Sequence, residues 1–223
     1  MTTKQEVDRF LKSNSYKMFL RHNPVINGFA QLNSENLAKV VDFVFMTIQQ
    51  NTTQLDGICA TYHKIGNTCP SFNMGSRRRG SMYIWKNKDY YYHSMMKILS
   101  SRSNRKEKEF KLLKLFVEIP NLGLSKSGFV VQLVAGMGGC FDSRNIKKWE
   151  IKKESISYSK SIKSEKIKDD KIRNYQECIK KCGGTRYLWD QWCYGVGKEY
   201  DYFKDGVEVS AGHVYWIMGV KVG

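Results

Sequence analysis

The sequence predicts a helical protein, on three observations. Apolar residues recur at helical spacing in several segments, most clearly 36–50, 83–100, 111–118 and 126–135. Pro24, Gly28, Pro120 and Gly123 stand between such segments, where they interrupt a helix. Capping chemistry, Asn33-Ser34-Glu35 above all, sits where the apolar pattern begins. With 223 residues the chain is long enough for one large domain or two closely packed lobes.

Residues 1–30 read as one or two short helices joined by an irregular HNPVING connection. A helix from about Asn36 to Gln50 follows. Leu37, Val40, Val41, Val44 and Ile48 give it a broad apolar surface, so it should be central to the core. Residues 60–82 read as a loop rich in Gly, Asn and Ser, carrying the compact basic cluster Arg77-Arg78-Arg79. Charge runs are usually solvated, and on a basic chain this one is also a candidate for phosphate contact. Tyr83–Ser100 reads as a core helix containing Tyr90, Tyr91, Tyr92, Met95 and Met96, its tyrosines as packing more than as a base-stacking platform. Ser101–Lys108 reads as a charged connection.

The stretch Phe116–Asn145 organises the rest. Lys111–Glu118 is apolar at helical spacing through Leu112, Leu115 and Phe116. Pro120 stops that helix and turns Ile119 away from the α region. Gly123 is able to take positive φ, and Ser125 is placed to cap a second helix, Lys126–Ala135, with Phe129, Val130, Leu133 and Val134 inward. Two helices with so short a turn form a hairpin. The N–H groups of Leu122–Lys126 would point outward at its tip, beside the positive end of the second helix, and bind a phosphate without reading a base. A glycine loop and an isolated aspartate, Asp142, come next.

Beyond Asp142, Lys147–Arg173 is a low-complexity Lys/Ser/Ile stretch, read as a partly ordered connection or an insertion with its lysines in solvent or along DNA. Asn174–Cys182 looks helical and stops at Gly183-Gly184. Tyr187–Tyr194 reads as an aromatic helix. A last helix spans about Val209 to Val220, with Ser210 as its cap and His213 as a structural histidine.

Lys plus Arg outnumber Asp plus Glu by 37 to 21, for a formal net charge of +16. Such a field favours polyanions, either nucleic acid or an acidic membrane surface. No apolar run is long enough to span a bilayer and MTTKQEVDRF lacks a signal-peptide core, so an intracellular, cytoplasmic protein is expected. The six cysteines are irregularly spaced. Cys178 and Cys182 could meet on one helix face, but without a clear second pair they read as ordinary thiols, and no metal is expected.

The hairpin and its aspartate resemble the helix-hairpin-helix (HhH-GPD) DNA glycosylase superfamily, relatives of endonuclease III and the mismatch adenine glycosylases, in a divergent and possibly viral form. The family hairpin reads roughly L-P-G-V-G-x-K/S-x-A, against Ile119-Pro120-Asn121-Leu122-Gly123-Leu124-Ser125-Lys126-Ser127 here. The family's catalytic aspartate follows the second hairpin helix in a V-D-T/G-x-x-x-R context, against Cys140-Phe141-Asp142-Ser143-Arg144-Asn145. Taken alone, Asp142 would read as a helix cap. A third point of resemblance is a helix ending in Q-Q-T or Q-A-T, whose glutamine fills the hole left by a flipped base; Gln50 matches it, and a solvated helix end is the plainer reading. Phe45 stands where mismatch adenine glycosylases carry a catalytic glutamate, which puts adenine excision by that mechanism in doubt. The four-cysteine iron–sulfur spacing of some relatives is absent, and no cofactor is expected.

The resemblance implies an all-α protein of two lobes with DNA in the cleft between them. Residues 36–145 would form the barrel lobe, with the hairpin at about 111–135, while 1–35 and 174–223 would form the second lobe and 146–173 a basic connection. It further implies that Asp142 stabilises an oxocarbenium-like sugar and orients water once the target base has left the stack. Bifunctional relatives carry a lysine two positions after the last hairpin glycine; here Ser125 stands there. Lys126 is adjacent, but the helical turn aims it about 100° away, toward a phosphate. A monofunctional enzyme follows, a monomer on double-stranded DNA with Gln50, Leu122, Gly123, Lys126, Arg77, Arg78, Arg79 and Arg144 as contacts. Two alternatives stand beside it: a viral transferase of the same fold that adds an amino acid or polyamine to an activated thymine in DNA, and a non-catalytic hairpin DNA-binding protein.

Overall fold

The structure is a computed structural model that describes residues 32–46, 75–141 and 143–188, with the isolated positions Gln5, Arg9 and Lys12. Among the described residues all regular structure is helical: α1 (Ser34–Met46), α2 (Gly75–Ser100), α3 (Arg105–Val117), α4 (Leu124–Ala135), α5 (Ser143–Lys148), α6 (Lys153–Ile156) and α7 (Glu165–Lys181). None of these helices is long and apolar enough to cross a membrane.

Helix α1 begins where its capping chemistry stands, the Asn33 side chain accepting from the Asn36 N–H at 2.8 Å. It packs on α2 and α4, α3 completes the group against the same two helices, and α7 lies along α3. Leu37, Val41 and Phe45 of α1, Ile84, Tyr91 and Met95 of α2, Leu113 and Phe116 of α3, and Phe129, Val130 and Leu133 of α4 close one continuous core. Burying an aliphatic or aromatic side chain of this kind stabilises by roughly 1.5–3 kcal/mol. Gly80 lets three elements converge. A Cβ there would lie 2.3 Å from the Phe45 ring of α1 and 2.6 Å from the Pro120 carbonyl of the hairpin turn.

Several boundaries differ from the sequence reading. The 60–82 loop gives way at Gly75 to α2, which keeps helical hydrogen bonding past a kink at Asn87, whose side chain donates to the Tyr83 carbonyl at 2.7 Å. The charged connection 101–108 ends early, because Asn104 caps α3 by accepting from the Glu107 N–H. Residues 147–173 read in sequence as a partly ordered connection or an insertion. They contain α6 and the first half of α7, which starts at Glu165 behind the Ser164 cap and buries Ile172, Tyr175, Gln176 and Ile179 on one face. That face seats on α3 beside ion pairs from Lys114 to Asp169 at 2.7 Å and from Lys106 to Glu177 at 2.8 Å. Of the expected core tyrosines, Tyr91 is buried while Tyr90 faces solvent; Met96 is exposed as well. Of the helix expected at 187–194 only Tyr187 and Leu188 are described; the rest of it, the helix expected at 209–220, His213 and most of residues 1–30 lie outside the described residues, as does most of the expected second lobe.

Candidate nucleic-acid interface and catalytic loop

The hairpin consists of α3, the turn Glu118–Gly123, and α4. Its left-handed residue is Asn121, at φ 63°, whereas Gly123 is extended at φ −79°, ψ 172°. Asparagine is among the few side chains that adopt such a conformation readily, so the turn reverses without spending a glycine on it. Gly123 is itself the N-cap of α4 and carries no capping side chain. Ser125 therefore lies inside the first turn instead of capping it.

Leu122 is buried, and its N–H donates to the Ile119 carbonyl at 3.1 Å; the Lys126 N–H donates to Gly123 at 3.1 Å. The tip amides that find no acceptor among the described residues are those of Gly123, Leu124 and Ser125. Gly123 is exposed, and a Cβ there would meet nothing within 4 Å, so the space beside Gly123 is open, while Leu124 is buried. The Lys126 ammonium sits 5.9 Å from the Phe129 ring centroid, beside the same turn.

The Ser125 hydroxyl has a different task from the one its position suggested. It donates to the Phe141 carbonyl at 2.5 Å and lies 3.8 Å from the Cys140 sulfur. The 136–141 loop is held along its length. Gly136, at φ 59°, caps α4 and returns its N–H to Gln132, while Arg105 donates to its carbonyl at 2.5 Å. Gly138, at φ 74°, donates its N–H to Glu109 at 3.0 Å. The Gly139 N–H donates to the Gly128 carbonyl at 3.1 Å, and the Tyr175 hydroxyl donates to the Gly139 carbonyl at 2.5 Å. Gln176 donates to Glu109 at 3.0 Å, which orients that carboxylate. Asn145 donates to the Cys140 carbonyl at 3.1 Å. Phe141 is buried edge-on against Tyr175, their centroids 5.2 Å apart. Burial pushes the Tyr175 phenol well above its ordinary range, so it serves as a neutral donor.

Asp142 and Gln50 lie outside the described residues, and of Arg144 only the backbone, within α5, is described. Arg77, Arg78 and Arg79 do not share one environment. Arg77 is buried, with burial lowering its pKa, while Arg78 and Arg79 are exposed on the first turns of α2. Sequence reasoning missed Glu109, Tyr175 and Gly128. Only the double glycine Gly138-Gly139 hinted that backbone would be approached closely there.

One buried carboxyl stands apart. Asp42 of α1 accepts from the Trp85 indole at 2.5 Å, and burial raises its pKa to about 7 against the opposing hydrogen bonds from Ser81 and Trp85. Among the described residues no three His, Cys, Asp or Glu side chains converge as a metal site would require.

Comparison with protein families, with curated proteins and with solved structures finds no match for this chain.

Proposed function

We propose that the protein binds double-stranded DNA through the tip of the α3–α4 hairpin and hydrolyses the N-glycosidic bond of a flipped, modified or damaged base, without efficient strand cleavage. The observation that carries this reading is the joint between tip and loop. The amides of Gly123, Leu124 and Ser125, which find no acceptor among the described residues, begin α4, and the Ser125 hydroxyl of the same turn holds the carbonyl immediately before Asp142. A phosphate on those amides would fix the strand against the residue that bears the charge. The Asp142 carboxylate would then stabilise positive charge at C1′ and the ring oxygen and orient the attacking water. Arg78, Arg79 and Lys126 add cationic charge for the backbone, so affinity should fall steeply as salt rises.

The test is product analysis. Wild type and Asp142→Asn are incubated with duplexes carrying modified and damaged bases, and the released bases and remaining nucleosides are weighed. The reading requires free base from wild type, loss of roughly 10²–10³ in rate for Asp142→Asn, and unimpaired duplex binding by that variant. A heavier nucleoside left in the strand would assign a transferase instead. Binding with neither product would leave a hairpin DNA-binding protein.

A further inference from the structure

We propose that the groove between α2 and α3 is a second nucleic-acid site, which takes unpaired bases of a single-stranded segment on a tyrosine platform. It is an open groove of about 350 Å³ between Tyr83, Tyr90 and Tyr91 of α2 and Lys111, Lys114 and Glu118 of α3. That volume is at the small end of ligand pockets, which run roughly 300–1,000 Å³.

The rings are held in advance. Tyr91 is buried and stacks on Phe116 at 6.1 Å and 21°. It meets Tyr83 at 6.1 Å and 74° and Tyr90 at 5.3 Å and 88°. The two outer rings therefore rest on a fixed one, although Tyr90 is 64% and Tyr83 38% exposed. An exposed aromatic face already fixed loses little freedom when a base stacks on it.

The surrounding charge selects the partner. Arg79 and Lys86 are exposed four and three residues from Tyr83, before the kink at Asn87, and Lys97 is exposed seven residues beyond Tyr90, after it. Across the groove Lys111 donates to the neutral Ser103 hydroxyl at 3.1 Å and forms no ion pair among the described residues. Lys114 is matched by Asp169, and the Glu118 carboxylate accepts from the Tyr158 hydroxyl at 3.2 Å. Aromatic faces beside cations that form no ion pair among the described residues fit a polyanion that carries bases. In a duplex the base faces are buried in the stack, so the occupant is single-stranded. Tyr83 and Tyr90 lie outside the hairpin, and the site stands whether or not the protein excises bases.

Fluorescence anisotropy with a labelled oligothymidylate, and with a duplex of equal length, tests it. Tyr83→Ala/Tyr90→Ala should weaken single-strand binding by roughly tenfold or more and leave duplex binding little changed. Tyr90→Trp should keep the single-strand affinity, and its added indole emission should be quenched as the strand is titrated in. Both positions are exposed, and a circular dichroism melt matching wild type verifies folding. Equal single-strand affinity in the double-alanine variant overturns the site, as do an equal loss on duplex and an unquenched indole signal in the Tyr90→Trp variant. Base release from damaged duplex is read separately, so failure of the excision reading is distinguishable.

Discussion

The Tyr175 hydroxyl donates to the Gly139 carbonyl at 2.5 Å while its ring closes over Gly128, so one side chain of α7 holds the hairpin's second helix and the loop beyond it together. A Cβ on Gly128 would lie 2.2 Å from the Gly139 carbonyl and 2.5 Å from the Tyr175 oxygen. Gly128→Ala should therefore destabilise by at least about 1–3 kcal/mol. Tyr175→Phe, which strands the carbonyl, should cost roughly 1–3 kcal/mol. Urea unfolding measures both, and a wild-type midpoint for Gly128→Ala would remove the close approach.

Ser125→Ala separates positioning from binding. The variant keeps the hairpin amides and loses the donor to Phe141. If Asp142 acts as proposed, base release should slow by roughly 10- to 100-fold in kcat, with duplex affinity retained. Borohydride should trap little covalent DNA with wild type, because no amine stands at position 125. Full activity of Ser125→Ala would detach the tether from the chemistry. Strong wild-type trapping that vanishes in Lys126→Ala would make Lys126 a nucleophile.

Gly123→Asp should move stability and binding in opposite directions. The extended backbone at 123 accepts any residue, and a Cβ there meets nothing within 4 Å. The carboxylate should cap α4 and raise stability by a few tenths to about 1 kcal/mol. It would also occupy the phosphate position, so duplex affinity should drop well beyond the loss for any one exposed lysine of α7. A thermal melt and an anisotropy titration read the two effects, and unchanged affinity would move the DNA contact away from the tip.

Asp42 should leave a mark on the pH profile. Its folded pKa is raised to about 7 from an ordinary value near 3.8, so the folded state holds the proton more tightly than the unfolded chain. Its contribution is then most favourable below the unfolded value and declines as pH rises from about 4 to about 7. Asp42→Asn, which keeps an acceptor for Trp85, should remove that slope and raise Tm by several degrees at pH 8 relative to wild type. The two proteins should melt alike near pH 4. Parallel curves would mean that Asp42 is solvated or charged when folded.

Much of the helical frame was legible because apolar spacing is a local signal. Leu37, Val41, Leu112, Phe116, Phe129 and Leu133 all lie inside as their periodicity requires. What was not legible depended on partners distant in the chain. The start of α7 is a run of charges around an exposed Ile167, with no buried apolar residue until Ile172, and Lys114 of α3 supplies the cation that its Glu165 and Asp169 meet. Three consecutive tyrosines cannot share one face of a helix, and which of them turns inward was decided by Phe116. The turn contained two residues suited to positive φ, Asn121 and Gly123, and sequence alone does not choose between them. The hydrogen bonds that Glu109 accepts from, and Tyr175 donates to, the 136–141 loop span 29 and 36 positions, beyond any local pattern.

Gly80 carries a consequence for second-site suppression. Its neighbours are the Phe45 ring at 2.3 Å and the Pro120 carbonyl at 2.6 Å from a hypothetical Cβ. A smaller residue at position 45 could make room for a methyl group on one side. The carbonyl belongs to the main chain, and no substitution trims it. A side chain at position 80 is therefore beyond rescue by any single compensating change, and only lifting the hairpin turn off α2 would admit one. The glycine is imposed by backbone meeting backbone, and it persists however the surrounding core is redesigned.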